Sequence, residues 1–175
     1  MSANQVETSC KSVSGSQRDP LIRGIHHAGL VVDDLDSAIA FYGALLDMEV
    51  IERDTWRAPA PEADSAVGVE GSSADGVMLR GSGSYLELWN YHAPAQVGGN
   101  PATYGAHERG LRHLAIEVTD VRSALERVVE LGGSAMGDPL DIDDDGAAAV
   151  YCRDPFGTIL ELMSVGSSLA ALEDL

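Results

Sequence analysis

The sequence predicts an α+β fold built from two tandem βαβββ modules. Three observations carry this. First, residues 27–39 read HAGLVVDDLDSAI and residues 113–125 read HLAIEVTDVRSAL, with His27/His113, Val32/Val118, Asp34/Asp120, Ser37/Ser123 and Ala38/Ala124 coincident. Such internal repetition is the signature of a duplicated structural unit. Second, YLELW at 85–89 is matched by ILELM at 159–163. Each follows a tight-turn segment, Gly81-Ser82-Gly83-Ser84 in one half and Asp154-Pro155-Phe156-Gly157 in the other. Third, each half passes from strand alternation to helical spacing and back.

The elements follow in order. Residues 1–22 read as a Ser-rich disordered leader with no apolar period, ending near Asp19-Pro20. The first module spans 23–95. A strand at 25–32 precedes a helix at about 35–46, whose buried stripe is Leu35, Ala38, Ile39, Tyr42 and Leu45. Asp34 stands where an N-cap acceptor belongs. Strands at 48–54, 76–80 and 84–91 follow, with a polar, Pro/Ala-rich loop from Trp56 to Ser73 among them. A linker at 96–110 leads to the second module, 111–166. Its strand at 112–118 is followed by a helix at 121–131 carrying Val121, Ala124, Leu125, Val128 and Leu131. Asp120 caps that helix and Gly132-Gly133 stops it. Strands at 134–137, 146–153 and 158–165 complete the module, and 167–175 is a tail. Asp154-Pro155-Phe156-Gly157 suits a β-turn.

Strand side chains alternate between faces, so each module divides its residues cleanly. His27 shares a face with Gly29 and Val31, and His113 shares one with Ala115 and Glu117. Leu86 and Leu88, like Leu160 and Leu162, pack toward the module's helix, which turns Glu87 and Glu161 to the concave face. Two such sheets side by side bring His27, Glu87, His113 and Glu161 around one point. Two imidazoles and two carboxylates suit one divalent ion: Zn, Ni, Co, Mn or Fe. Tyr85, Trp89 and Tyr91 share the face of Glu87, and Ile159 and Met163 that of Glu161. They read equally as packing within the barrel or a dimer interface, or as the apolar wall of a small-molecule site. His26 falls on the helix-facing side by parity and reads as structural. His92 and His107 read as surface residues near strand ends.

Composition excludes several classes. With 28 Asp+Glu against 11 Lys+Arg and a net charge of −17, nucleic acid and anionic membrane are disfavoured as partners. There is no apolar run long enough to span a bilayer and no secretory start. Two cysteines, Cys10 and Cys152, make no disulfide framework, so a reducing cytoplasm is expected.

The segments HAGLVVDDLDSAIAFY from His27, LEL from Leu86, RHLAIEV from Arg112 and DPFGTILEL from Asp154 resemble the vicinal oxygen chelate superfamily over residues 23–166. That superfamily includes glyoxalase I, methylmalonyl-CoA epimerase, extradiol dioxygenases, fosfomycin-resistance enzymes and bleomycin-binding proteins. The resemblance implies that the modules form an open, cupped mixed β-sheet barrel around one metal site, often in a homodimer. The site would lie within one chain or across two.

The ligand pattern is closest to glyoxalase I and methylmalonyl-CoA epimerase. It implies a metal-dependent isomerase, epimerase or lyase that abstracts a proton next to a carbonyl and forms a metal-stabilised enediolate. Glu161 would be the base as well as a ligand, with Glu87 as second candidate. The epimerase family's further carboxylate has no clean match, since only Glu52 and Glu62 lie in that region, and no basic cluster suits a CoA tail. An Fe(II) extradiol-type dioxygenase would need only His27, His113 and Glu161. A non-catalytic antibiotic-binding protein would bind in an aromatic groove without the metal set. Fosfomycin-type thiol transfer would require cationic residues that the concave face does not clearly offer.

Overall fold

The computed structural model describes residues 21–81, 83–167 and 169–172. The expected leader, all but its last two residues, lies outside them, as do Cys10, Ser82 and part of the tail.

The first module runs β1 (Ala28–Val31), α1 (Leu35–Leu46), β2 (Glu49–Trp56), α2 (Pro61–Val67), β3 (Ser73–Gly81) and β4 (Ser84–Ala93). The second runs β5 (His113–Glu117), α3 (Val121–Glu130), β6 (Ser134–Ala135), β7 (Leu140–Asp141), β8 (Ala148–Arg153) and β9 (Ile159–Ser164). The repeat is visible in the helix starts. The Asp34 carboxylate accepts from the Ser37 N–H at 3.0 Å, and Asp120 accepts from the Ser123 N–H at 2.6 Å. Each satisfies a backbone donor that has no partner inside the helix, and these bonds hold both carboxyls below their ordinary range.

Each helix buries one stripe on its own sheet. Ala38, Phe41 and Tyr42 of α1 and Val121 and Val128 of α3 are buried, together with Val77, Leu79, Leu86, Leu88, Val150, Cys152, Leu160 and Leu162. These residues form one continuous apolar cluster across both modules. A polar latch crosses the same core. The fully buried Tyr42 hydroxyl donates to the Asp154 carboxylate at 2.7 Å. Asp154 also accepts from the N–H groups of Phe156 and Thr158, which ties the β8–β9 turn to α1. Burial, then the Asp154 charge, pushes the Tyr42 hydroxyl well above its usual pKa; burial likewise raises Asp154.

The expected barrel is not formed. The first sheet has the order β1-β4-β3-β2 and the second β5-β9-β8-β6, with β7 also on β8. Among the described residues no strand of one sheet pairs with a strand of the other. The parallel pairs β1·β4 and β5·β9 each use one edge of β1 and of β5. The second edges stand apart, separated by a cavity of about 560 Å³. His26, His27 and Ala28 line it on one side and Leu114–Val118 on the other, with Leu45, Leu46 and Met48 from the end of α1 and with Leu172. The module plan is therefore an α+β arrangement of two mixed sheets rather than a closed seam.

Two further differences concern local elements. The stretch from Trp56 to Ser73 contains α2. Its signals are Pro61 at the first helical position and Glu62 and Asp64 in the first turn. The opening strand begins at Ala28 rather than 25, because only residues from Ala28 onward find partners on β4.

Candidate functional site

The two modules build the same small constellation. In the first, Gly29 of β1 lies in register with Glu87 of β4, and His27, two residues earlier and just before β1, turns its imidazole toward that carboxylate. In the second, Ala115 of β5 lies in register with Glu161 of β9, and His113 sits two residues earlier. The short residue opposite each Glu leaves its carboxylate room to reach the His. His27 Nε2 is 3.4 Å from Glu87 Oε2, and His113 Nε2 is 3.1 Å from Glu161 Oε2. The glutamates keep 25% and 23% of their side-chain surface exposed, so both pairs are open to a ligand.

The pairs are not gathered into one cluster. Among the described residues no group of three or more His, Cys, Asp or Glu side chains is placed to hold an ion. Within the single chain the four residues therefore stand as two separate His–Glu pairs. His27 opens on to the 560 Å³ cavity. Glu161 opens on to a second hollow of about 380 Å³, lined also by Met136, Gly137, Asp138, Ala149, Val150 and Tyr151.

The donor chemistry of each pair fits a divalent cation. Two ligands about 2.1 Å from one ion stand about 3.0 Å apart at a right angle and about 3.4 Å apart at the tetrahedral angle. The His–Glu distances of 3.1 and 3.4 Å fall on that range.

The expected wall residues divide in the same way. Trp89 and Tyr91 lie with Trp56, at ring-centroid distances of 4.8 Å for Trp56–Trp89 and 6.0 Å for Trp56–Tyr91. Tyr85 stands at the other end of β4, where His26 stacks on it at 4.8 Å with ring planes 8° apart. Met163 belongs to the second sheet, in register with Glu117 and Ala149. Glu52 is in register with Met78 of β3, and Glu62 lies in the exposed first turn of α2.

The sequence reading misplaces His26 and passes over Tyr151 and Trp56. His26 precedes β1, where strand parity no longer holds; it meets Tyr85, and its Nδ1 lies 2.8 Å from Nδ1 of His27. One of these nitrogens donates and the other accepts, which couples the two tautomers. Tyr151 is in register with Glu161, its ring 5.1 Å from that of His113. Inward-facing Val150 and Cys152 imply its orientation by alternation alone. Trp56 ends β2, two residues beyond the predicted strand. Two arginines in register with this face, Arg80 and Arg153, are already engaged. Arg80 pairs with Glu49, and Arg153 donates to the carbonyls of Pro101, Tyr104 and Gly157. His92 pairs with Asp75 at 2.7 Å, and His107 is exposed in the linker.

Comparison with known proteins gives a consistent result. The family model described as the Glyoxalase/Bleomycin resistance protein/Dioxygenase superfamily matches residues 24–162. A 2-epi-5-epi-valiolone epimerase from an Actinomyces species is 32% identical over 149 residues, covering 81% of this chain and 79% of that protein. The structure of a glyoxalase family protein from Bacillus cereus superposes with a TM-score of 0.74 at 18% identity, over 86% of this chain and 98% of that one. FosX, a fosfomycin resistance protein from Listeria monocytogenes solved with Mn(II) and sulfate, superposes with a TM-score of 0.51 at 19% identity, over 87% and 97%. These two likenesses are likenesses of fold. No helix among the described residues is long and apolar enough to cross a membrane.

Proposed function

The chain belongs to the Glyoxalase/Bleomycin resistance protein/Dioxygenase superfamily, and on that premise we propose that it is a metal-dependent epimerase of a hydroxylated ketone of the valiolone type. The observation that carries this reading is the duplicated His–Glu pair, spaced in both modules as two ligands of one ion. The 32% identity to an epimerase supports the reaction class.

His27, Glu87, His113 and Glu161 would hold the ion. Because each chain separates them into two pairs, the proposed site joins the His27–Glu87 pair of one copy to the His113–Glu161 pair of a second, in a homodimer. A bound divalent ion supplies Lewis-acid stabilisation for the negative charge that develops on the substrate's carbonyl oxygen. The remaining chemistry belongs to the carboxylates. Glu161 takes the proton from the carbon next to the carbonyl, and the electron pair of that C–H bond passes into the carbonyl system. Return of a proton to the opposite face of the same carbon gives the epimer, and Glu87 would supply it. Tyr85, Trp89, Tyr91 and Met163 would bound the substrate on the apolar side. Modules 23–95 and 111–166, joined by the linker 96–110, are the proposed functional units.

The test is isotope exchange. Protein loaded with Ni, Co, Zn, Mn or Fe(II) is incubated with 2-epi-5-epi-valiolone in D₂O. Deuterium entering next to the carbonyl together with epimer formation, both lost in Glu161→Gln, is the expected result. Oxygen consumption with Fe(II) and no exchange would replace this reading with the dioxygenase one.

A further inference from the structure

We propose that Trp56 and Trp89 form a platform that seats the ring of the substrate, and that the insertion between Arg57 and Ser72 exists to hold Trp56 in place. This deepens the epimerase reading and rests on it for the substrate class.

The platform starts from a missing side chain. Trp89 follows Glu87 by two residues on one face of β4, and the residue opposite it on β3 is Gly76. A Cβ at Gly76 would overlap the six-membered ring of the Trp89 indole. Space, not backbone freedom, requires glycine here, because it lets the indole lie flat across β3. Trp56 comes from β2 on the other side of β3 and meets Trp89 at 4.8 Å with planes 59° apart. Tyr91 closes the end of the group edge-on to Trp56, with planes at 82°. All three rings are only partly buried.

Trp56 is held by a chain of hydrogen bonds through the insertion. Its Nε1–H donates to Ser72 Oγ at 2.8 Å. Ser72 is fully buried, and its hydroxyl donates to Asp64 Oδ1 at 2.6 Å. Asp64, on α2, also accepts from the N–H groups of Ser72 and Gly71. The Ser72 proton is therefore committed to Asp64, which leaves the oxygen's lone pairs for the indole. The base of the insertion is clamped as well. Arg57 donates to both carboxylate oxygens of Asp75 at 2.9 Å and to the Ala74 carbonyl at 3.0 Å. The second module has no counterpart: its edge strand β6 is two residues long and its corresponding face carries Ala149, Tyr151 and Met163.

An alicyclic polyol presents a flat patch of C–H groups between its hydroxyls, and such a patch stacks on an aromatic face while the hydroxyls reach past the ring edge. An open-chain ketone has no such rigid face. Two residues from Glu87, the platform would favour a ring-shaped substrate.

Trp56 and Trp89 are the two tryptophans of the chain, so emission excited selectively at tryptophan, on the red side of tyrosine absorption, reports on this platform alone. Metal-loaded protein is titrated with 2-epi-5-epi-valiolone and, for contrast, with the open-chain ketose erythrulose. A saturable emission change with the ring ketone and none with erythrulose is expected. Trp56→Ala should raise KM at least about tenfold, with kcat falling far less. Ser72→Ala should raise KM less and shift the emission maximum, and it keeps the test available if Trp56→Ala fails to fold. Exchange in D₂O with KM and emission response unchanged in these variants would overturn the platform and leave the epimerase reading standing. A saturable response lost in Trp56→Ala, without exchange, would sink the epimerase reading and keep the platform. No response to the ring ketone overturns the proposal.

Discussion

The two modules agree where the chemistry is proposed to lie and differ where a substrate would be recognised. Both place a His two residues before a small residue that registers with a Glu, at 3.4 and 3.1 Å. Beyond that pair they diverge. The first module extends β2, β3 and β4 to eight, nine and ten residues and adds α2 and an aromatic face. The second has six residues in each of β8 and β9, and two in β6 and in β7. Both copies keep the His–Glu pair, the two ligands that the proposed function asks of each. What only one copy need supply is free to grow on the other's account.

The comparison breaks most decisively at the carboxylates. Glu161→Gln should lower kcat about 10³-fold or more while far-UV circular dichroism stays native. Glu87→Gln tests whether the modules are equivalent: an equal fall in kcat with metal stoichiometry retained means both carboxylates move protons, and a fall that tracks lost metal means Glu87 only binds.

The latch between modules comes next. Tyr42→Phe leaves the buried Asp154 carboxyl without its hydroxyl donor, a loss of about 1–3 kcal/mol measured by urea unfolding. Gly76→Ala should cost a similar ~1–3 kcal/mol through overpacking against Trp89, and should also move tryptophan emission, which Tyr42→Phe should not.

Acid titration distinguishes the modules more gently. Hydrogen bonds from Thr55, then His92 and Arg57, hold Asp75 of the first module down to about 2. Its folded pKa lies below the unfolded value, so its contribution is present above about pH 4 and is lost as pH falls toward 2. Asp154 of the second module is shifted upward, so it acts oppositely and costs stability as pH rises through the ordinary carboxylate range. Urea midpoints at pH 5 and pH 3 should therefore converge in Asp75→Asn relative to the native chain. The smallest effects are expected at the helix caps: Asp34→Ala and Asp120→Ala should each lower the urea midpoint slightly and by similar amounts, since both caps make the same bond.

Much of the module plan was legible because it depends on local rules. Helix α1 was expected at 35–46 and is found at Leu35–Leu46, since an N-cap aspartate and an apolar stripe act within a few residues. The strands bearing Glu87 and Glu161 were legible from two inward leucines flanking each Glu. Helix α2 was missed because its seven residues bury no side chain and so leave no apolar period. Trp56 was missed with it, since its role depends on Ser72 and Asp64 across the insertion. His26 was misplaced because alternation was carried past the point where β1 loses its partner strand.

By itself, the sequence determined two α+β modules, their helices and caps, and which residues share a strand face, because periodicity and capping are local properties of a chain. Only the tertiary structure decided that, among the described residues, β1 and β5 leave their second edges unpaired, so the sheets stay apart and His27 and Glu161 open on to different hollows. Edge pairing is settled by how the two sheets pack around the space between them, here a cavity lined also by the end of α1 and Leu172, and no local pattern encodes that packing.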